Sequence, residues 1–354
     1  MTAIARVLRL LPLLALGLAA AAALAVPPAI TLRPNPAPAL PPPPTPTPPP
    51  PPPALRAVVS IAPLKSLALD LLPAGSTVEV LIPPGVSEHG YEIPPARLAD
   101  LARADLVVSV GLGLEPALDK FLREHPRAGR REVVFAKVVE DVVAPAGGAD
   151  EHNHDHAEPG HVHGPDCDHG PADPHLWLDP VLTQRLVLAV SGAADVLLRV
   201  RAPSPGAAAE WSKALDTREE ALLDRLRDLD TAHARRLAAC PRKTIVVAHD
   251  AWGWLAKRYG LQTVAIAGLN AGEPTPKAIA DAAKAAREGK ATAIFCEPQL
   301  SPAAAKRVAE ATGLKLLTLD PLGQGDYFAT MRRNLDALVE GLGGPKEPES
   351  PKSR

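Results

Sequence analysis

Short apolar runs alternate along this chain with longer stretches whose apolar positions recur at helical spacing. The runs AVVSIAP from Ala57, VEVLIP from Val78, DLVVSVG from Asp105 and EVVFAKV from Glu132 form a first group. TIVVAH from Thr244, QTVAIA from Gln262, ATAIFCE from Ala291 and LKLLTLD from Leu314 form a second. Each is short and mainly apolar, as expected for a strand. Between most of them lie amphipathic segments such as PPARLADLARA from Pro94, PKAIADAAKAAREG from Pro276 and PAAAKRVAEATG from Pro302. Proline near the first turn, and glycine at the close of the last two, mark helix ends. This alternation predicts an α/β fold with parallel sheets flanked by helices.

The alternation breaks in the middle, where Pro180 to Arg201 and Gly206 to Ala239 read as two long helices with no strand between them. Leu186, Val190, Ala194, Val196 and Val200 give the first an apolar stripe at helical spacing. The expectation is two Rossmann-like lobes joined by long helices. The N-terminal part is of another kind. Arg6 and Arg9 precede an apolar run from Leu10 to Val26, the form of a secretory signal peptide or of an uncleaved segment that tethers the protein to a membrane. Proline then dominates to Pro53, a spacer that favours an extended polyproline helix.

The organisation expected is a signal peptide at 1–26, a proline-rich spacer at 27–54 and a first α/β lobe at 55–180 that includes a His-rich loop at 149–172. A linker helix at 181–201, a second α/β lobe at 202–342 and a disordered tail at 343–354 follow. A formal net charge of -2 leaves no basic footprint for nucleic acid. The three cysteines, Cys167, Cys240 and Cys296, show no C-x-x-C spacing, and no disulfide is expected.

Ligands of open parallel sheets bind at the carboxyl ends of strands, so polar residues that follow apolar runs carry the information. His89 follows VEVLIP, His249 closes TIVVAH, Glu297 closes AIFCE and Asp320 closes LLTLD, while His175 stands in DPHLWLDP beside Leu176 and Trp177. A lone histidine at a strand end is more often structural than a ligand. Three of them with a carboxylate form a tetrahedral N/O set suited to Zn²⁺. The histidines at 152, 154, 156, 161, 163 and 169 sit instead among glycine, proline and acidic residues, where weak and exchangeable metal binding is expected. There is no H-E-x-x-H, no G-x-S-x-G and no P-loop, and GLGLE at Gly111 lacks the third glycine of a dinucleotide fingerprint. No enzymatic chemistry is expected.

The segments SEHGYEIPP, DPHLWLDP, VVAHDAWGWLAKRYGL, FCEPQLSP and LLTLDPLG resemble, in order and spacing, the signatures of the zinc-type solute-binding proteins of bacterial ABC importers. The resemblance covers about Ala57 to Leu342 and implies two (β/α) lobes bridged by a long helix, with one metal ion in the cleft. It implies a periplasmic or otherwise extracytoplasmic monomer that captures Zn²⁺ and delivers it to the membrane permease of an ABC importer. The family's histidine ligands fall on His89, His175 and His249, and an imidazole at His249, where manganese- or iron-type members resemble a carboxylate site, favours zinc. Asp320 matches the family's carboxylate position and ranks first as fourth ligand; Glu88 ranks second and water is a third choice. Glu297, Asp173, Asp179 and Asp250 fit orienting or capping roles, and insertions like the His-rich stretch resemble a capture element. The alternatives are a manganese or iron carrier of the same family, a zinc-dependent hydrolase with an open fourth position, and a surface adhesin displayed on the proline spacer.

Overall fold

The computed structural model describes residues 49–143, 162–163 and 173–345, all within one unit, Pro48–Arg354. The expected signal segment, the proline spacer up to residue 48, Cys167, the tail beyond residue 345 and the His-rich stretch apart from the backbone of 162–163 lie outside the described residues.

In the first lobe β1 (Arg56–Val59), β2 (Thr77–Val80), β3 (Leu106–Ser109) and β4 (Arg131–Val134) form a parallel sheet in the order β2-β1-β3-β4. Helices α1 (Pro63–Leu71), α2 (Pro95–Arg103) and α3 (Pro116–Glu124) connect them, each with proline in its first turn, where the missing N–H costs nothing. The predicted run EVVFAKV does not stay extended. After Val134 it turns into two single-turn helices, α4 (Phe135–Val138) and α5 (Glu140–Val143), because Phe135 and Ala136 are drawn into the core.

Two backbone-paired residues, β5 (Val162–His163), lie inside the His-rich stretch, where no strand is predicted, and run antiparallel to the edge of the second sheet. A 3₁₀ turn at Leu176–Leu178 leads into α6 (Pro180–Arg201) and α7 (Pro205–Ala238). Asp179 caps α6 by accepting from Val181 N at 2.7 Å and Leu182 N at 3.4 Å. The second lobe contains β6 (Thr244–His249), α8 (Gly253–Tyr259), β7 (Gln262–Ala267), α9 (Pro276–Glu288), β8 (Ala293–Cys296), α10 (Ala303–Thr312), β9 (Lys315–Thr318) and α11 (Tyr327–Gly341). Its sheet order is β5-β7-β6-β8-β9, parallel apart from β5. Helices α8 and α10 stop at Gly260 (φ 68°) and Gly313 (φ 70°), left-handed positions that a side chain would strain.

The core explains the layering. Residues on the inner faces of both sheets, among them Val59, Val108, Val247 and Phe295, belong to one apolar cluster with Leu186 of α6, Leu226 of α7, Leu338 of α11 and Trp177 of the 3₁₀ turn. The outer faces have their own clusters, around Leu101, Leu118 and Phe121 in the first lobe and around Ile294, Ala282 and Val308 in the second. Helix α7 is bonded to both lobes, through Arg225 to Asp70 and Arg218 to the Leu71 carbonyl of α1, and through Arg236 to Asp336 of α11. The predicted stripe on α6 is only partly right. Leu186, Val190 and Ala194 are buried, but Val196 is exposed and Val200 is 82% exposed, and the core is reached through Leu197 and Leu198 instead. α6 is long and apolar enough to cross a membrane by composition, yet half of its most apolar window is buried against protein. Cys240 and Cys296 are free thiols.

Candidate metal centre

The loops that leave the carboxyl ends of both sheets supply the candidate ligands. Glu88 and His89 lie in an irregular segment after β2, His175 just before the 3₁₀ turn, and His249 is the last residue of β6. One atom from each of the four lies within 4.8 Å of one from every other. The imidazoles form a near-equilateral triangle, with ring centroids 5.5 Å apart for His89 and His175, 5.4 Å for His89 and His249, and 5.2 Å for His175 and His249.

His175 Nε2 lies 3.3 Å from His249 Nε2 and 3.6 Å from Glu88 Oε1, and Glu88 Oε1 lies 4.0 Å from His89 Nε2. Donors about 2.0–2.1 Å from a tetrahedral zinc ion are roughly 3.3–3.4 Å apart, so the His175–His249 pair is already at that spacing, while Glu88 and His89 must draw together to close on one ion. Glu88, His175 and His249 are buried. Glu88 Oε1 and His89 Nε2 are buried with no hydrogen-bond partner. A carboxylate oxygen and an imidazole nitrogen left so, facing one another, cost free energy that a cation between them would recover.

The arrangement is charged as a cation site. Burial pushes the Glu88 carboxyl up, but the His175 ion pair and the charges of the three imidazoles outweigh it and hold the group at about 2. Burial pushes His89 down to about 4, against the opposing pull of Glu88. Burial also disfavours charge on His175, yet Asp173 and Glu88 on its two ring nitrogens overcome this and raise it to about 10.

Each imidazole of the second half is held from behind. Asp173 Oδ1 accepts from the His175 backbone N–H at 3.0 Å and from Nδ1 at 2.8 Å. Glu297 Oε2 stands 2.7 Å from His249 Nδ1, at ion-pair distance though off the ideal hydrogen-bond angle, and Oε1 accepts from Trp252 Nε1 at 3.3 Å. The tryptophans act as fasteners. Trp254 Nε1 donates to the Asp173 carbonyl at 3.1 Å and Trp177 Nε1 to the Pro321 carbonyl at 2.7 Å, while Tyr327 Oη donates to the Trp177 carbonyl at 3.0 Å. His175 is therefore bonded to elements of the second lobe although it precedes both long helices.

Three of the four predicted ligands, His89, His175 and His249, come together; Asp320 does not join them. Its Oδ1 is engaged by Gln299 Nε2 at 2.8 Å, Gly323 N at 2.8 Å and Leu322 N at 3.1 Å, which fixes the turn after β9. Glu88, ranked second from the sequence, stands in the cluster. Neighbouring residues of a strand point to opposite faces; the irregular backbone at 87–90 lets Glu88 and His89 face the same way, and their adjacency carries no sign of it in the sequence.

Residues 57–341 match the family model of the periplasmic zinc-uptake complex component A, ZnuA. The zinc-binding lipoprotein AdcA of Streptococcus pneumoniae is 29% identical over 297 residues, 81% of this chain and 55% of that protein. This chain thus spans about half the length of that relative. The high-affinity zinc uptake system protein ZnuA of Bacillus subtilis is 28% identical over 301 residues, 81% of this chain and 88% of the relative. Among solved structures, the periplasmic zinc-binding protein TroA of Treponema pallidum superposes with a TM-score of 0.65 at 23% identity, covering 82% of this chain and 99% of that one. A crystal structure of ZnuA has the same TM-score and identity, over 81% of this chain and 99% of that one. Both share the two-lobed α/β fold.

Proposed function

Because this chain belongs to the family of periplasmic zinc-uptake complex component A, we propose that it is an extracytoplasmic solute-binding protein that captures Zn²⁺ between its lobes and delivers it to the permease of an ABC importer. One observation carries the reading: three imidazoles and one carboxylate converge on a buried point at which Glu88 Oε1 and His89 Nε2 make no hydrogen bond. The ligands proposed are His89, His175 and His249 with Glu88 as the fourth, and Asp320 is proposed to brace the turn beside them. Four protein donors leave no open position for an activated water, so the reading is of a carrier and not of a zinc hydrolase. The three-nitrogen set favours zinc over manganese, a harder ion that prefers oxygen.

Metal analysis of the purified chain tests this. Wild type should retain about one tightly held zinc per molecule, His175→Ala should lose it, and a chain lacking residues 150–170 should keep it. Tight zinc that vanishes with those residues and survives His175→Ala would move the site to the His-rich stretch and refute the assignment.

A further inference from the structure

Glu297 and Asp173 both stand behind a ligand histidine, but they do so differently. The two oxygens of Glu297 meet two separate nitrogens: Oε1 accepts from Trp252 Nε1, and Oε2 stands 2.7 Å from His249 Nδ1, at ion-pair distance but outside hydrogen-bond geometry. A single oxygen of Asp173, Oδ1, takes both the backbone N–H and Nδ1 of His175. The difference governs what an amide could replace.

Resting on the zinc reading above, we propose that Glu297 is the positioning residue that sets the tautomer of His249, and that it must be a carboxylate because it serves two donors at once. The Nε2 atoms of His249 and His175 face each other at 3.3 Å within the cluster, so His249 must carry its proton on Nδ1 to present a lone pair there. Glu297 Oε2 is the acceptor that keeps it on Nδ1.

A glutamine at this position has one acceptor and one donor group. Tryptophan Nε1–H can only donate, so the amide oxygen must go to Trp252 and the amide N–H₂ to His249. That N–H₂ turns His249 Nδ1 into an acceptor and moves the proton to Nε2, the atom that faces the metal. An amide in place of a carboxylate behind a histidine is known to preserve geometry and fix the wrong tautomer. At Asp173 the outcome differs, because an asparagine oxygen in the place of Oδ1 still accepts from both His175 donors. Each exchange removes one buried negative charge, so the contrast between them isolates the tautomer.

The experiment uses the full chain with ¹⁵N-labelled histidine, free of metal, together with zinc affinity by chelator competition. Wild type and Asp173→Asn should show His249 with Nδ1 protonated, and Glu297→Gln should show Nε2 protonated at an unchanged melting temperature. Zinc affinity should fall about 100-fold in Glu297→Gln and about 10-fold or less in Asp173→Asn. Glu297→Ala, which leaves both donors to water, should show mixed tautomers and bind zinc more tightly than the glutamine variant. An Nδ1-protonated His249 in Glu297→Gln, or in Glu297→Ala if the first variant does not fold, overturns the proposal, as does equal affinity in Glu297→Gln and Asp173→Asn. A wild type that binds no zinc would refute the carrier reading, while the metal-free tautomers would still decide this one.

Discussion

At the scale of single residues the site turns on which carboxylate ligates and which only orients. Glu88 Oε1 is buried without a hydrogen bond, 3.6 Å from His175 Nε2, whereas Asp320 Oδ1 has three donors, so their removal should affect zinc differently. Glu88→Gln should weaken zinc binding by one to two orders of magnitude and should also lower stability above about pH 4.5, since the carboxylate is paired with His175. Asp320→Ala should retain zinc stoichiometry and cost about 1–3 kcal/mol of stability as the turn loses its acceptor. Chelator competition and chemical denaturation of both variants separate the cases, and loss of zinc in Asp320→Ala alone would restore it as the ligand.

Protons compete at the same residues. Near pH 7 His89 is neutral and Glu88 ionised, with values of about 4 and about 2, while His175, at about 10, holds a proton between Asp173 and Glu88 that zinc must expel. Roughly one proton should leave per zinc bound between about pH 5 and 9, so log affinity should rise about one unit per pH unit there. Calorimetry at pH 7 in buffers of different ionisation heat measures it, and heats that do not vary with the buffer would contradict it. For the metal-free protein the signs differ by residue. The raised His175 stabilises the fold below about pH 6.5, an effect lost as pH climbs through about 10; the depressed Glu88 stabilises it above about pH 4.5, an effect lost as pH falls through about 2. His89, depressed to about 4, works against the fold as pH falls below about 6.5.

At the scale of elements, DPHLWLDP is a bracket. Asp173 orients His175, Trp177 ties the 3₁₀ turn to Pro321, and Asp179 caps α6. Asp179→Ala should cost about 1 kcal/mol, a fall of roughly 2–4 °C in thermal unfolding. Trp177→Phe keeps most of the apolar volume and removes the bond to Pro321, so zinc should bind more weakly through a loosened His175 while melting shifts modestly. A zinc affinity unchanged by Trp177→Phe would mean that packing alone holds the bracket.

The eight parallel strands were legible as short apolar runs although β2, β4 and β9 expose some positions, because a sheet flanked by helices favours such runs without burying every residue. His89, His175 and His249 were legible because polar residues that follow such runs converge. The exposed end of α6 was not, since periodicity marks an apolar face without saying how far a partner extends along it. Nor was the position of Glu88, rather than Asp320, beside the three histidines, since both are carboxylates near strand ends and only the direction of the backbone after β2 distinguishes them.

At the scale of the molecule, α7 and the contact of Tyr327 N with Ser66 Oγ at 3.0 Å join the lobes, and Glu88, His89, His175 and His249 meet between them. Glu88 and His89 lie in a loop of the first sheet and His249 ends β6 of the second, so an ion bound by all of them is a bond between lobes that the metal-free chain lacks. Zinc that binds the native state alone, at about 1,000 times its dissociation constant, should stabilise the chain by roughly 4 kcal/mol. Because the ligands come from both halves, amide exchange should slow in both, in the segment around Glu88 and His89 as well as at the end of β6. Manganese at the same concentration should do much less, since three of the four donors are nitrogens. Equal shifts with the two metals would remove the zinc assignment, and protection confined to the second lobe would show that Glu88 and His89 do not close on the ion.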